Sequence, residues 1–537
     1  MVANARIPNS EVWLRCRLDL AILLLGLVNS MLYPSLLPLW EGFDEPFHYG
    51  YVQWLVSERR LPALGTTPVS RELWRSVELA PASRVVRENI PIVTTYEEFA
   101  RWDRTRRQAR LAELAAIPPH WADAPHPGST NYEAQQAPLA YLLLSPIEAA
   151  SRGQSLPTRI LVLRLAAALL ACLLQFHFTR MLADALGLAG PARSAALFLV
   201  FASPMFYAAT AHVSNDWLAV PLATLLLARL AQFWQSPLPS SGAKLGLAAG
   251  LGLLTKAYFV AWAGLLLLVA GWMLFRRPAR WQASAAVLAA MGVAAPWYAR
   301  NVALYGSVLG LQQTASGVTL TSVAAEAWRA PWAADALGLL RGAIWTGNSS
   351  FNSFSARTVD CILLLLAASL LVWAWRNRSA REWLIAFACL TFLAAIAYHN
   401  AQTRAHTGSA RFSAMPWYFQ TLAAGTACLV AAGWQRSRLA ARTLAPALLL
   451  LTTYLLTATW WLKFIPMYAG YGDARIRLGE LAAWYAQGQT AQRLHELALG
   501  NGWLCLTLAA ASPLLAIACA VTVLIAATGS SPGRESL

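Results

Sequence analysis

The amino-acid sequence predicts an all-α polytopic membrane protein, with about 11–13 transmembrane helices and a long first external loop that carries surface helices. Three observations predict this fold class. Of the 537 residues, 57% are hydrophobic and only 13% are charged, whereas a soluble domain usually has about 25% charged residues. The mean hydropathy is +0.45. Apolar stretches of roughly 20 residues, long enough to cross a bilayer, recur along the chain.

The first apolar run, 18–38, follows a basic N-terminus that contains Arg6, Arg15 and Arg17. No small-residue cleavage site follows the run, so we interpret it as an uncleaved first span rather than a signal peptide. The later apolar segments lie near 158–180, 192–212, 215–234, 244–275, 281–297, 359–375, 382–398, 412–433, 442–461 and 503–527.

The arginines predict how the chain is oriented in the membrane. Clusters at 276–280, 376–381 and 436–442, together with the basic N-terminus, mark the cytoplasmic side. The long loops are then external; they are 39–137, 298–358 and 462–502. We therefore expect a multi-pass protein of the inner (plasma) membrane with a cytoplasmic N-terminus.

The segment 138–150 decides between two topologies. It contains Pro146 and is short for a span, whereas the segment 244–275 is long for one. If 138–150 does not cross, it is a re-entrant or surface helix, and 212–216 lies outside. The segment 244–275 then divides into two helices that meet near Lys256. Both lengths favour this second topology.

The charge and the cysteines exclude some functions. The formal net charge of +16 would suggest nucleic acid in a soluble protein. Here the arginines lie in short loops between spans, so we predict no nucleic-acid partner. None of the seven cysteines lies in the two longest polar loops. A disulfide framework or a cysteine metal site is therefore not expected.

An acidic pair, Asp44 and Glu45, directly follows the first span. Pro46 suits the first turn of a new helix, whose dipole favours anionic side chains at its N-terminus. His48 lies one turn later on the face of Asp44. An ionised aspartate at a membrane surface can act as a general base or bind a metal ion. The alternative is an acidic helix cap beside an interfacial aromatic belt.

Five further polar motifs lie at the ends of apolar segments or, for 250–256, in the middle of one. Lysine and arginine in such places can bind a phosphate, and amides can bind a polar ligand. Each motif also has a structural interpretation, as a membrane-entry turn, a capped turn, a snorkelling lysine or an interfacial anchor. The motifs are 131–143 with Gln136 and Tyr141, 212–218 with Asp216, 250–256 with Lys256, 296–301 with Arg300, and the loop 399–412 with Arg404 and Arg411.

The order of these motifs resembles the GT-C superfamily of membrane glycosyltransferases. It is most similar to proteins of the dolichyl-phosphate-mannose protein mannosyltransferase and aminoarabinose transferase type. The similarity covers roughly 18–310, and the sequence departs from the pattern at Ala137, where many relatives have proline or histidine. It rests on Asp44-Glu45-Pro46 with His48, then Gln136 to Tyr141, Arg164, Ser214-Asn215-Asp216, Gly252 to Lys256, and Trp297 to Asn301.

The resemblance implies an inverting glycosyltransferase that uses a polyprenyl-phosphate sugar as donor. The acceptor is a glycan, lipid or protein at the external face. Asp44 would take the proton from the acceptor, and Asp216 would orient the acceptor or assist a divalent metal ion; the resemblance leaves the need for a metal cofactor open. Lys256 and Arg300 would hold the phosphate. The remaining expected substrate-binding or supporting residues are Glu45, His48, Gln136, Tyr141, Arg404 and Arg411.

The chain is expected to comprise a GT-C transmembrane module, 1–310, an external loop, 311–358, a C-terminal transmembrane module, 359–527, and a disordered tail, 528–537. Two other functions remain open. A transporter or flippase could use the carboxylates and the lysine as an ion path. A non-catalytic, lipid-handling scaffold of the same fold is the other alternative, because a fold does not guarantee an activity.

Overall fold

A computed structural model describes residues 9–188, 190–276, 281–310, 318–408, 415–471 and 477–529. Arg411, Arg277, Arg280 and most of the predicted tail lie outside the described residues. The described chain is helical apart from one small antiparallel sheet, which pairs Pro68–Ser70 with Pro125–Thr130. The all-α prediction is therefore confirmed.

Seven of the described helices are long and apolar enough to cross a membrane, or eight when a pair bent by 57° is counted as one span. The bent pair is Pro191–Phe201 with Pro204–Thr210, and the bend lies just before Pro204, which disfavours helical backbone at the preceding residue. The seven are Arg17–Leu36, Leu156–Ala185, Asp216–Gln235, Ala356–Arg376, Ala380–Thr407, Arg438–Tyr468 and Gly502–Ala527.

This count is lower than the expected 11–13 because several predicted apolar segments form shorter helices. The segment 244–275 is divided, as expected, by a break at 254–258. The segment 281–297 is interrupted at Gly292–Ala294 by a 3-10 turn. The shorter helices are Leu139–Ser151, Pro239–Leu253, Phe259–Arg276, Trp281–Met291, Ala295–Tyr305 and Ala423–Arg436.

The predicted external loops also contain helices. In 39–137 these are Glu45–Glu58, Arg71–Leu79, Arg84–Asn89, Tyr96–Arg101 and Arg104–Ala115, with 3-10 turns at Pro119–Asp123 and Tyr132–Gln135. Later ones are Leu320–Arg329, Trp332–Ile344, Leu478–Ala486 and Thr490–Leu497. A 3-10 turn, Pro416–Leu422, precedes Ala423–Arg436, and a π-helical turn, Thr459–Phe464, joins Arg438–Ala458 to Ile465–Tyr468.

The helix Leu139–Ser151 has both of its ends at the end of the bundle where 37–137 lies, which we call the loop end. At its start, the Leu139 N–H donates to the Leu254 carbonyl across 2.9 Å. Just past its end, Arg152 pairs with Asp123 of the first loop. This arrangement agrees with the interpretation of 138–150 as a re-entrant or surface helix.

The opposite end of the bundle carries the arginine clusters 376–381 and 436–442. Arg381 donates to the Ala185 carbonyl across 2.7 Å, and Arg436 donates to Glu382 Oε2 across 2.7 Å. The basic residues thus lie together, away from the loop end, as the positive-inside rule predicts.

A buried ionic cluster fixes the first loop to the bundle. Arg159, near the start of Leu156–Ala185, contacts carboxylates from two other elements, Glu72 and Glu148, and all three side chains are buried. The Tyr49 hydroxyl donates to Glu148 across 2.8 Å, and the Gln53 amide donates to Glu72 across 2.7 Å. Removing one partner of such a cluster leaves an unpaired charge in an apolar interior, which is strongly destabilising. The cluster therefore fixes the positions of these elements relative to one another.

Candidate active site

Asp44 lies between the first span and the helix Glu45–Glu58, in the N-cap position. Its backbone is left-handed, with φ of 51°, a conformation that aspartate tolerates better than most residues. Pro46 lies in the first turn of the helix, as expected. The Asp44 side chain makes no capping hydrogen bond and is exposed. The alternative interpretation of this carboxylate as a helix cap is therefore wrong.

The Asp44 carboxylate is held by Tyr132, whose hydroxyl donates to Oδ1 across 2.7 Å. Surrounding protein partly excludes water and raises the pKa of Asp44 above its usual value. The Tyr132 hydrogen bond and the charge of Lys256 act in the opposite direction, and the charge of Asp216 adds to the increase. Asp44 is thus within electrostatic reach of both other charges.

Asp216 and Lys256 form a buried ion pair, in which Nζ donates to Oδ1 across 2.6 Å. The Asp216 N–H donates to the Ser214 hydroxyl at the start of a span, and Lys256 lies in the break after Leu253. An ammonium has three N–H donors, so Lys256 can hold Asp216 and a phosphate oxygen together.

Two tyrosines complete the surroundings of the ion pair. The Lys256 ammonium lies 4.6 Å from the ring centroid of Tyr418 and 5.3 Å from that of Tyr258. Cation–π contacts of this kind stabilise a lysine charge away from bulk water. The pair is therefore flanked by one aromatic side chain from the segment of Lys256 itself, Tyr258, and one from a distant part of the chain, Tyr418.

Glu45 is fully buried and forms a two-point ion pair with Arg164, at 2.7 Å and 2.5 Å. The Val213 N–H also donates to Glu45 Oε1 across 3.0 Å, which places 212–216 at the loop end. Arg164 in addition donates to the carbonyls of Leu37 and Pro38. Through these contacts the buried Glu45 side chain fixes the backbone on both sides of Asp44, and it does not face the surface itself.

His48 does not contact the Asp44 carboxylate. Its Nδ1 lies 2.7 Å from the Tyr141 hydroxyl and 3.7 Å from Glu133 Oε2. Burial raises the pKa of Glu133 to about 8, with a further increase from the charge of Asp44. Burial also lowers the pKa of His48 well below its usual range. At neutral pH a protonated carboxyl and a neutral imidazole therefore face each other.

Gln136 links the first loop to 212–216, because its Oε1 accepts from the Asn215 amide across 3.0 Å. Its carbonyl accepts from the Tyr51 hydroxyl across 3.1 Å, and the Tyr51 ring stacks on Tyr141. Both expected residues of this motif, Gln136 and Tyr141, therefore adjoin the site.

The two expected arginines among the described residues, Arg300 and Arg404, bind other parts of the protein than Asp44. Arg300 lies within the helix Ala295–Tyr305 rather than just outside a span, and it donates to the Pro62 carbonyl across 2.6 Å. Arg404 lies 3.7 Å from Asp335. It belongs to the last turn of the helix Ala380–Thr407, which ends only at the C-cap Gly408, so the expected loop from 399 is wrong.

Several site residues were not predicted. Tyr132 and Glu133 lie in the polar motif before Pro138, where a tyrosine and a carboxylate at a membrane entry were the available signal. Tyr258 follows Lys256 by two residues. Tyr418 is distant in sequence and gave no signal. In the part of the chain that the structure describes, no group of three or more His, Cys, Asp or Glu side chains could hold a metal ion.

No protein-family model matches the chain, and no curated protein matches it. Among solved structures, the chain is similar to ArnT from Cupriavidus metallidurans bound to undecaprenyl phosphate. The TM-score is 0.48 at 14% identity, over 97% of this chain and 77% of that one. The apo structure of ArnT from Cupriavidus metallidurans gives a TM-score of 0.41 at 15% identity, over 89% and 74%.

Proposed function

We propose that this protein is an inverting membrane glycosyltransferase that moves a sugar from a polyprenyl-phosphate donor to an acceptor at the external face. The observation that supports this most is an exposed carboxylate, Asp44, within electrostatic reach of the buried Lys256–Asp216 pair. Transfer of a sugar from a phosphate ester to a hydroxyl requires a base for the hydroxyl proton and a cation for the leaving phosphate, and this site holds both.

The location of the site supports a lipid-linked donor. Asp44 lies eight residues past the end of the first span, Arg17–Leu36. Asp216 begins another span, Asp216–Gln235. A polyprenyl phosphate keeps its tail in the bilayer and its phosphate at the headgroup level, so reacting groups near the ends of spans suit it.

In the proposed reaction, the acceptor O–H gives its proton to the Asp44 carboxylate while its oxygen attacks the anomeric carbon. The bond from that carbon to the phosphate oxygen breaks, and the electron pair leaves with the phosphate. Attack opposite the phosphate inverts the anomeric centre. Lys256 offsets the charge that develops on the leaving phosphate.

The other residues have supporting roles in this proposal. Tyr132 orients Asp44, and Asp216 holds Lys256 in place. Glu45 and Arg164 fix the chain on either side of the site. Arg300 and Arg404 are assigned no contact with the reacting atoms, because each is already engaged with other parts of the protein. The transporter alternative has less support, because the ionisable residues of the site lie together at one end of the bundle.

A deletion strain tests the proposed activity. Its surface glycans, lipids and glycoproteins are compared by mass spectrometry with those of strains that carry the wild type, Asp44→Asn or Asp103→Asn. Asp103 is a matched control, since it is also an N-cap aspartate and asparagine caps a helix equally well. We expect one sugar modification to be lost on deletion and restored by the wild type and Asp103→Asn only. Full restoration by Asp44→Asn would refute the proposed mechanism.

A further inference from the structure

A cavity of about 360 Å³ opens beside Asp44 in the first loop. Its size is that of a small-molecule site. Asp44 and Tyr132 lie on one wall, and Trp40, Phe47, Leu73 and Val86 are among the apolar residues that line the rest. The base proposed above therefore faces an apolar chamber.

The cavity has one charged side chain, that of Asp44, among the described residues that line it. No lysine, arginine or histidine is among them. Three polar side chains of the wall donate within the protein: Tyr132 to Asp44, Ser349 to the Gly42 carbonyl and Asn89, through one of its two amide N–H groups, to the Val85 carbonyl. Such a wall disfavours an anionic ligand and offers one strong acceptor, the Asp44 carboxylate.

The position of the cavity separates it from the donor lipid. Its lining residues fall within 40–47, 69–93, 132 and 349, and none of them belongs to a described helix long enough to cross a membrane. Lys256, to which the donor phosphate is assigned, does not line it either. An isoprenoid tail held in the bilayer would not reach a chamber built from loop helices.

We propose that this cavity binds the acceptor, and that the acceptor is an uncharged molecule with its reacting hydroxyl attached to a compact apolar group. The apolar group occupies the chamber, and the hydroxyl donates to the Asp44 carboxylate. This assignment rests on the proposed function for its chemistry, since the bound hydroxyl is the one that loses its proton to Asp44 when the sugar is transferred. Donor and acceptor then approach Asp44 from different sides.

Binding can be measured without turnover, which separates this inference from the proposed activity. Full-length protein in lipid nanodiscs is dialysed to equilibrium against 2-naphthalenemethanol, an uncharged alcohol with a compact apolar body, or against 2-naphthoate, its anionic counterpart. We expect saturable binding of the alcohol and at least tenfold weaker binding of the anion. In Asp44→Asn the difference between the two probes should shrink, because the like charge is gone.

Two variants of one helix provide the matched comparison. Val86 lines the cavity and Val85, next to it on Arg84–Asn89, does not. We expect Val86→Phe to weaken binding of the alcohol at least tenfold and Val85→Phe to leave it unchanged. Ala82→Leu, a smaller change on the same wall, should weaken it as well, and circular dichroism checks that each variant is folded.

Three outcomes would overturn the inference. The first is an equal loss of alcohol binding in both valine variants, and the second is tighter binding of the anion than of the alcohol. The third is competition between the alcohol and added undecaprenyl phosphate, which would assign the chamber to the lipid tail. If alcohol binding follows the prediction while no sugar transfer is ever detected, the proposed activity fails and the binding site stands.

Discussion

The Tyr132 hydroxyl donates to the Asp44 carboxylate across 2.7 Å, and this contact joins the end of the first loop to the beginning of it. It orients one oxygen of an otherwise exposed side chain. The surrounding protein raises the pKa of Asp44, and the Tyr132 hydrogen bond opposes this because it favours the ionised carboxylate.

Tyr132→Phe removes this hydrogen bond and should raise the pKa of Asp44 further. A general base works in its ionised form, so the acid limb of the pH profile of kcat/KM should move to higher pH. We expect activity at neutral pH to fall roughly tenfold and to recover in part at alkaline pH. Tyr96→Phe, at a tyrosine bonded instead to Glu41, is the control and should leave the position of the acid limb unchanged.

Lys256→Met should destabilise the protein by about 3–5 kcal/mol, because Asp216 is left as an unpaired buried charge. The double variant Lys256→Met/Asp216→Leu should recover much of this stability, since both charges are gone. Neither variant should transfer sugar. Thermal unfolding and a transfer assay on the same preparations check this. An active double variant would show that the pair serves only the fold.

Glu133 should make stability fall as the pH rises. Its pKa is near 4.5 in the unfolded chain and about 8 in the folded protein. The folded state therefore binds this proton more tightly, and the stabilisation is present below pH 4.5 and is lost as the pH approaches 8.

Glu133→Gln mimics the protonated carboxyl, so its melting temperature should match the wild type at pH 5 and exceed it at pH 9. At pH 9 the free energy of unfolding of Glu133→Gln should exceed that of the wild type by about 2–5 kcal/mol. Glu88→Gln, at an exposed position, is the control and should show no such trend. Parallel pH dependence in the wild type and Glu133→Gln would contradict this assignment.

Arg159→Met should loosen the first loop far more than Arg152→Met. Arg159 is buried between two carboxylates, and its loss is expected to cost about 3–5 kcal/mol. The Arg152–Asp123 pair lies at the surface, where such a pair contributes about 0–1 kcal/mol. Hydrogen exchange of 71–79 and 139–151 measures the difference. Equal exchange in both variants would show that the Arg159 cluster is not the anchor.

The sequence predicted the parts of this site that depend on local chemistry. Pro46 marked the start of the helix after Asp44, and the lengths of 138–150 and 244–275 predicted the surface helix and the break near Lys256. Gly252 and Lys256 are close in sequence, so their turn could be predicted from a short segment.

The contacts that connect distant segments could not be predicted in this way. Nothing in the sequence pairs Tyr132 with Asp44, which lie 88 residues apart. Tyr418 reaches Lys256 only because the turn Pro416–Leu422 packs against the helix Asp216–Gln235. Arg300 was predicted as a phosphate ligand and Arg404 as a substrate-binding residue, but Arg300 donates to the Pro62 carbonyl and Arg404 lies beside the Asp335 carboxylate.

The most direct test of Asp44 as the base is a single-turnover transfer assay on purified wild type, Asp44→Asn and Asp103→Asn. Asparagine keeps the shape and cannot take the proton. We expect a rate about 10²–10⁴-fold lower for Asp44→Asn, with unchanged binding of polyprenyl phosphate and unchanged folding, and a normal rate for Asp103→Asn. An Asp44→Asn enzyme that transfers sugar at the wild-type rate would contradict the role of Asp44 as the base.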